Sequence, residues 1–282
     1  MVAHPCPGAS ELAPRFLRAL LAEYPQYPSV ALWRCWEMAL LSRMEFDSPL
    51  LDLGCGDGRI VQHLLGSSGD RTHPHRVFGL DLNENSVRLA LARPIHRAAI
   101  VADARAMPFG DAAFASVLSV CVLEHIPAPD RVLAEASRVL KPNGLLAFSV
   151  PTARLSEIAA ETHPRTLDYP AVFAARVEHV NSWPHSAWQA LLQRNGLAPC
   201  DLIGFMPPDA ARVWFAANDW VERPIRGRGW LYRVAGPGLR RGGLGRLLAA
   251  YWFRRLRPAA IEGVAASPDE AAAVLILARK PG

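Results

Sequence analysis

Lysine is nearly missing from this chain: Lys141 and Lys280 are the only two, so almost all of its 31 basic residues are arginine. Against 26 acidic residues they leave a formal net charge of +5. Such a balance usually points to an acidic partner. Here it accompanies an abundance of alanine, proline and glycine, the mark of a GC-rich coding sequence, so arginine content alone is poor evidence for one. Long hydrophobic runs are missing as well. The longest, Ala271 to Ala278, is far short of a bilayer span, and no charged segment leading into an apolar core opens the chain, so a cytoplasmic location is expected. Cysteine is sparse and scattered (Cys6, Cys35, Cys55, Cys121, Cys200), with no C-x-x-C spacing to support a disulfide framework or a zinc site.

What is present begins at Leu50-Leu51-Asp52-Leu53-Gly54-Cys55-Gly56-Asp57-Gly58, an apolar run ending in three alternate glycines before a helical pattern. This reads as a strand, a tight turn and a helix N-terminus, where glycine permits positive φ and lets a ligand lie against bare main chain. Val77-Phe78-Gly79-Leu80-Asp81 is a second buried-strand run, closing on a carboxylate about twenty residues further on, the place where an acid accepts ribose hydroxyls in open α/β sheets. Further runs follow: Ala98 to Val101 before Asp103, Phe114 to Val120 before Cys121-Val122-Leu123-Glu124-His125, and Leu145 to Val150 after the turn Lys141-Pro142-Asn143-Gly144. Strands alternating with helices at this interval indicate a parallel, doubly wound sheet. A nicotinamide or flavin site wants G-x-G-x-x-G beneath a pyrophosphate. Here Gly58 arrives one residue early, and Asp57 would repel a pyrophosphate while tolerating a ligand with an ammonium.

In this order and spacing, Leu50 to about Val150 resembles the class I S-adenosylmethionine-dependent methyltransferases, in the small-molecule branch that includes the ubiquinone and menaquinone type. The resemblance implies a Rossmann-like α/β fold: a doubly wound, seven-stranded sheet of order 3-2-1-4-5-7-6 within a single domain over 1–282. It implies S-adenosylmethionine as cofactor. Asp52 then belongs to the cofactor site, the main chain at Gly54, Cys55 and Gly56 to the methionine portion, Asp81 to the ribose hydroxyls and Leu82 to the adenine face. Asp103 would accept from the adenine amino group beside Ala104, and Ser119 and Val120 would set a carbonyl near the methionine ammonium. The structural alternatives are a helix N-cap for Asp81 and an N-terminal helix charge for Asp57.

For catalysis the resemblance directs attention to the segment after the fourth strand, where His125 stands beside Glu124. An imidazole suits proton removal near neutrality, but this string recurs in the family as part of the cofactor pocket, and both roles stay open. His163, Tyr169, His179 and His185, in the variable region beyond Val150, are the other catalytic candidates, and no spacing singles one out. No [Asn/Asp]-Pro-Pro-[Tyr/Phe], Pro-Cys pair or acidic magnesium-binding cluster follows the fourth strand. These absences disfavour nucleic-acid bases as acceptors. They lead to an expectation of metal-independent methyl transfer to a small apolar or aromatic metabolite, with a lipid or quinone precursor at a membrane surface as the alternative acceptor.

Two helical segments precede the sheet, near Ser10 to Glu23 and Val30 to Met44, as a cap over residues 1–46; their Tyr27, Trp33 and Trp36 either line a substrate pocket or pack as core. Between the last two expected strands, Leu197 to Phe205 and Ala272 to Arg279, the segment Met206 to Pro268 departs from the family. It holds Trp214, Phe215, Trp220, Trp230, Tyr232, Tyr251, Trp252 and Phe253 with arginine at 223, 226, 228, 233, 240, 241, 246, 254, 255 and 257. Leu244, Leu247, Leu248, Tyr251 and Trp252 share one helical face, with Arg246, Arg254 and Arg257 opposite. This insertion reads as a lid, as plain packing, or as an amphipathic element on an anionic membrane. A third function class, RNA binding or modification, would use the same aromatics as stacking platforms.

Overall fold

The computed structural model describes residues 8–66, 76–166, 168–222, 224–225, 228–229 and 243–282. The arginines and aromatics of the insertion at 223, 226, 230–233 and 240–241 lie outside the described residues.

Seven strands form one sheet: β1 (Leu50–Leu53), β2 (Val77–Asp81), β3 (His96–Val101), β4 (Phe114–Val120), β5 (Leu140–Pro151), β6 (Ala198–Phe205) and β7 (Ala273–Arg279). Their order is β3-β2-β1-β4-β5-β7-β6, with β7 antiparallel between β5 and β6 and the other pairings parallel. This is the order that the resemblance implied. Every residue of β1 is buried, as a central strand covered on both faces requires. The helices α3 (Arg59–Gly66), α4 (Glu84–Leu91), α5 (Pro129–Val139) and α8 (His185–Arg194) make the crossovers. Each parallel crossover delivers its next loop to the same carboxyl edge, which is where ligands bind in open sheets of this kind.

The polypeptide before β1 forms α1 (Ala9–Glu23) and α2 (Pro28–Leu41). The start of α2 lies two residues before the expected one because Pro28 suits the first helical turn, where its missing N–H would have had no partner. Trp33 and Trp36 are core residues. Trp36 is fully buried and its indole N–H donates to the Ala259 and Ala260 carbonyls at 3.2 Å. The region from Pro151 to Val180, which showed little periodicity, holds α6 (Ala153–Thr162) and α7 (Tyr169–Arg176). Their buried stripes are short, Leu155, Ile158 and Ala159 in one and Tyr169 and Phe173 in the other, too short to stand out as a pattern.

Much of the insertion is helical, with α9 (Pro208–Glu222) and α10 (Gly243–Glu262). Helix α9 docks on α2 through the Trp214 indole, which donates to the Ser29 carbonyl at 2.9 Å and meets Trp33 edge-on at 5.4 Å. Helix α10 buries Gly245, Trp252, Leu256, Ala259 and Ala260. The face expected from sequence is therefore split: Trp252 turns inward, whereas Leu244, Leu247 and Tyr251 remain 67%, 69% and 52% exposed. A Cβ on Gly263 would come within 2.4 Å of the Trp36 ring, so the end of α10 closes on α2 only because that residue has no side chain. Helices α1, α2, α9 and α10 thus form a common helical layer. Among the described residues, no helix is long and apolar enough to cross a membrane.

Candidate active site

The three alternate glycines do different work. All have positive φ. A Cβ on Gly54 would sit 2.4 Å from a Val122 methyl, and one on Gly58 would sit 2.8 Å from the His96 ring. Those two let the turn pack against its own protein. Around Gly56, a Cβ would meet nothing within 4 Å, so the open approach to bare main chain lies there.

Four N–H groups of this loop are already committed. Those of Gly54 and Cys55 donate to the Leu80 carbonyl, that of Gly56 to Asp81 Oδ2 at 2.8 Å, and that of Gly58 to the Cys55 carbonyl. A pyrophosphate cradle needs main-chain donors pointing at the ligand. Here those four point into the protein. Asp81 Oδ1 also accepts the Asn83 N–H at 2.8 Å, so two donors orient the carboxylate at the end of β2 while lone pairs remain for hydroxyls. Asn83, not Asp81, is the N-cap of α4, accepting from the Ser86 N–H. Next to it Leu82 is 72% exposed, an apolar surface at a strand end suited to a flat ring.

Other expected members of the set are engaged within the chain. The Asp52 carboxylate bonds His96 Nε2 at 2.9 Å, both side chains nearly sealed from solvent, and burial raises the Asp52 pKa. Asp57 pairs with Arg59 at 2.8 Å and Arg93 at 3.4 Å, which makes it a helix-terminal anchor for arginines. The Ser119 hydroxyl is buried and donates to the Leu53 carbonyl, tying β4 to β1. Asp103 is held below its usual range by hydrogen bonds from Arg105 and lies at the surface with it; Ala104 beside it is buried. The Val120 carbonyl faces Arg34 Nη1 at 3.5 Å.

Arg34 and Glu37 of α2 escaped the sequence reading. Glu37 is buried and accepts from Trp33, Arg34, Cys121 and Ser149, so α2 is fastened over the ends of β4 and β5. Arg34 stands at the same mouth, its side chain partly exposed. An i, i+3 Arg–Glu pair on an apolar helix was the available signal.

Beyond β4, a single 3-10 turn (Leu123–His125) presents Glu124 and His125. The segment 178–181 is laced to it: the Val180 and Asn181 N–H groups donate to the Glu124 carbonyl, and the Asn181 amide donates to the Leu123 and Ile126 carbonyls. This brings His179 beside His125, with ring centroids 5.1 Å apart. Burial, then the neighbouring His125, lowers the His179 pKa to about 4, and burial pushes the Glu124 carboxyl up to about 8. His163 and Tyr169 meet elsewhere, stacked at 3.7 Å and both bonded to Asp219 of α9 at 2.6 and 2.9 Å. Asp219 had no signal in the sequence; it is one acid in a helix whose neighbours are set by packing. His185 lies apart from both groups, 3.7 Å from Asp269.

A family model described as a methyltransferase domain matches residues 51–148, from the first strand of the sheet into the fifth. Residues 51–148 therefore carry a methyltransferase domain. The arsenite methyltransferase of Aquipseudomonas alcaligenes is 32% identical to it over 51% of this chain and 43% of that protein. The ubiquinone/menaquinone biosynthesis C-methyltransferase UbiE of Acidiphilium cryptum is 34% identical over 47% of this chain and 54% of that protein. The chain thus spans about half the length of these curated relatives. The same fold recurs in a solved structure from Thermotoga maritima, described as a SAM-dependent methyltransferase and possible histamine N-methyltransferase, with a TM-score of 0.55 and 15% identity over 96% of this chain and 99% of that one. The matched region covers the glycine loop, Asp81, Asp103 and His125, and stops short of His163, His179 and α9.

Proposed function

We propose that this protein binds S-adenosylmethionine at the carboxyl edge of β1, β2 and β4 and transfers its methyl group to a small apolar or aromatic acceptor. The supporting observation is Gly56: a positive-φ glycine with open space where its side chain would be, whose N–H is spent on the same Asp81 carboxylate that faces the ligand. That combination suits a nucleoside carrying a ribose and no phosphate.

When bound, this donor supplies a sulfonium methyl for in-line displacement. The chain's own residues then have to orient it and keep water away. Asp81 holds the ribose hydroxyls and Leu82 covers one face of the base. Arg34, partly exposed beside the Val120 carbonyl, is placed to pair with the methionine carboxylate. The 123–125 turn, the 178–181 segment and the helical layer enclose the acceptor side. The names of the relatives, an arsenite and a quinone-pathway methyltransferase, support small acceptors as the class.

S-adenosylhomocysteine should raise the melting temperature by mass action, and Asp81→Ala should remove most of that gain. No shift with either nucleoside ligand would overturn the proposal.

A lipid-like acceptor reached at a membrane is favoured by one feature. On α10, Leu244, Leu247 and Tyr251 lie on one exposed face, which Arg255 and, contrary to the expectation from sequence that set it opposite, Arg254 continue. Co-sedimentation with anionic vesicles, lost in Leu247→Asp and at moderate salt, would support this reading. Indifference to both would exclude it.

A further inference from the structure

The Glu124, His125 and His179 side chains converge, and methyl transfer as such has no need of that convergence. One ligand-type atom from each lies within 4.8 Å of the others. Three further observations bear on what they could hold. The Glu124 side chain is 1% exposed, and its Oε2 has no hydrogen-bond partner. An unpartnered carboxylate oxygen in such a place is expensive, and a cation is one of the few groups that relieves it. His125 Nδ1 sits 3.1 Å from the Glu178 carbonyl, which can only accept. The proton is therefore on Nδ1, and Nε2, 3.8 Å from Glu124 Oε1, presents a lone pair. A ring N–H donated to a main-chain carbonyl is the usual way in which a metal-bound histidine is oriented. Finally, Glu178 adopts φ 56, a left-handed conformation uncommon for a residue with a side chain, and the hydrogen bonds at 180 and 181 hold this bend in place. The bend turns His179 toward the strand end.

We infer that Glu124, His125 and His179 form a binding site for one divalent transition-metal ion, of the zinc or cobalt type, at the acceptor side of the carboxyl edge. Two imidazoles and one carboxylate suit a borderline cation; magnesium and calcium prefer all-oxygen shells. Bond lengths of about 2.0–2.2 Å place ligand atoms roughly 3.4 Å apart, so the three groups have to close by about 1 Å or slightly more. His179, half-buried on a loop segment, has the rotamer freedom to make that adjustment. The His125 side chain is 40% exposed, which leaves solvent-facing coordination positions for water or an oxygen of a bound molecule. The sequence led to an expectation of metal independence because no acidic cluster follows β4. This ligand set escapes that test, since it is assembled from the 3-10 turn and from a segment beyond α7.

Ion binding is independent of the methyl-transfer proposal. The use of the ion to polarise an acceptor oxygen does rest on it. The test is titration of the full chain, stripped with a chelator, with Co²⁺ alone and then Zn²⁺ alone, with no nucleoside present. One saturating equivalent is expected, with visible d–d absorption for Co²⁺, displacement by Zn²⁺ and a raised melting temperature. His179→Ala and Glu124→Gln should each weaken the affinity at least about tenfold, while His185→Ala leaves it unchanged. His179→Ala is the decisive variant because a half-buried loop position tolerates truncation without unfolding. Absence of saturable binding at millimolar ion, or binding that His179→Ala leaves intact, overturns the inference. Either result leaves stabilisation by S-adenosylhomocysteine as a separate readout of the donor site.

Discussion

Glu37 of α2 accepts the hydroxyl of Ser149 of β5 at 2.6 Å, a bond between the N-terminal helical layer and the carboxyl edge of the sheet across 112 residues of sequence. With Trp33, Arg34 and Cys121 as further donors, the carboxylate is fully committed. Glu37→Ala removes the acceptor for four buried or part-buried donors and should cost roughly 3 kcal/mol in urea denaturation. Glu37→Gln, which keeps one acceptor oxygen, should lose less. A loss below about 1 kcal/mol in the alanine variant would mean that water replaces the carboxylate and that α2 is not fastened through it.

The glycine loop separates packing from binding. Gly54→Ala forces a methyl into Val122 and should destabilise the fold, lowering the melting temperature with or without ligand. Gly56→Ala meets only a left-handed backbone cost of about 1–2 kcal/mol. It should remain folded yet lose most of the stabilisation by S-adenosylhomocysteine. Similar ligand-induced shifts in wild type and Gly56→Ala would place the nucleoside elsewhere.

Glu23 of α1 bonds His63 of α3 at 2.6 Å and pairs with Arg59 at 3.1 Å. The His63 hydrogen bond, then the positive charges around it, hold the carboxyl below its ordinary value of 4.5. A depressed carboxyl adds stability that is fully present above the unfolded value and is lost as pH falls through the native one. Glu23→Gln should therefore flatten the fall of melting temperature between ~pH 5 and ~pH 3 relative to wild type. Parallel curves would show that the pair is worth nothing in solution.

Asp219 joins His163 and Tyr169, and through them α9 to α6 and α7. Asp219→Ala should cost about 1–3 kcal/mol of stability by leaving two polar groups without their acceptor. S-adenosylhomocysteine should stabilise this variant as it does wild type. A selective loss of acceptor turnover without loss of stability would instead place the trio in catalysis.

The parts legible in the sequence share one property: their physical cause is local. Apolar runs of four to seven residues, the first two closing on glycine or aspartate, located β1, β2 and β4 and the positions of Gly56 and Asp81, because strand burial and turn geometry are written in adjacent residues. Helices α6 and α7 were not legible, since each buries so few side chains that no period emerges. Nor was the orientation of α10. Its sequence supports an apolar face through Leu244, Leu247 and Tyr251, but the helix buries Trp252 and Leu256 instead, Trp252 against Trp220 of α9.

The sequence by itself determined the succession of β1 to β5 along the chain, the glycine turn after β1, and the acid at the end of β2. Tertiary structure decided which charged side chains remain available to a ligand. Asp52 and Asp57 place charge beside the glycine turn, yet each found a partner inside the protein because burial penalises an unpaired polar group. Glu124, adjacent to a candidate histidine in the chain, became significant only when the loop at 178–181 folded back and set His179 against it. Propensity and pattern act over a few residues. Pairing of buried charge acts across the whole fold, and only the three-dimensional structure reveals it.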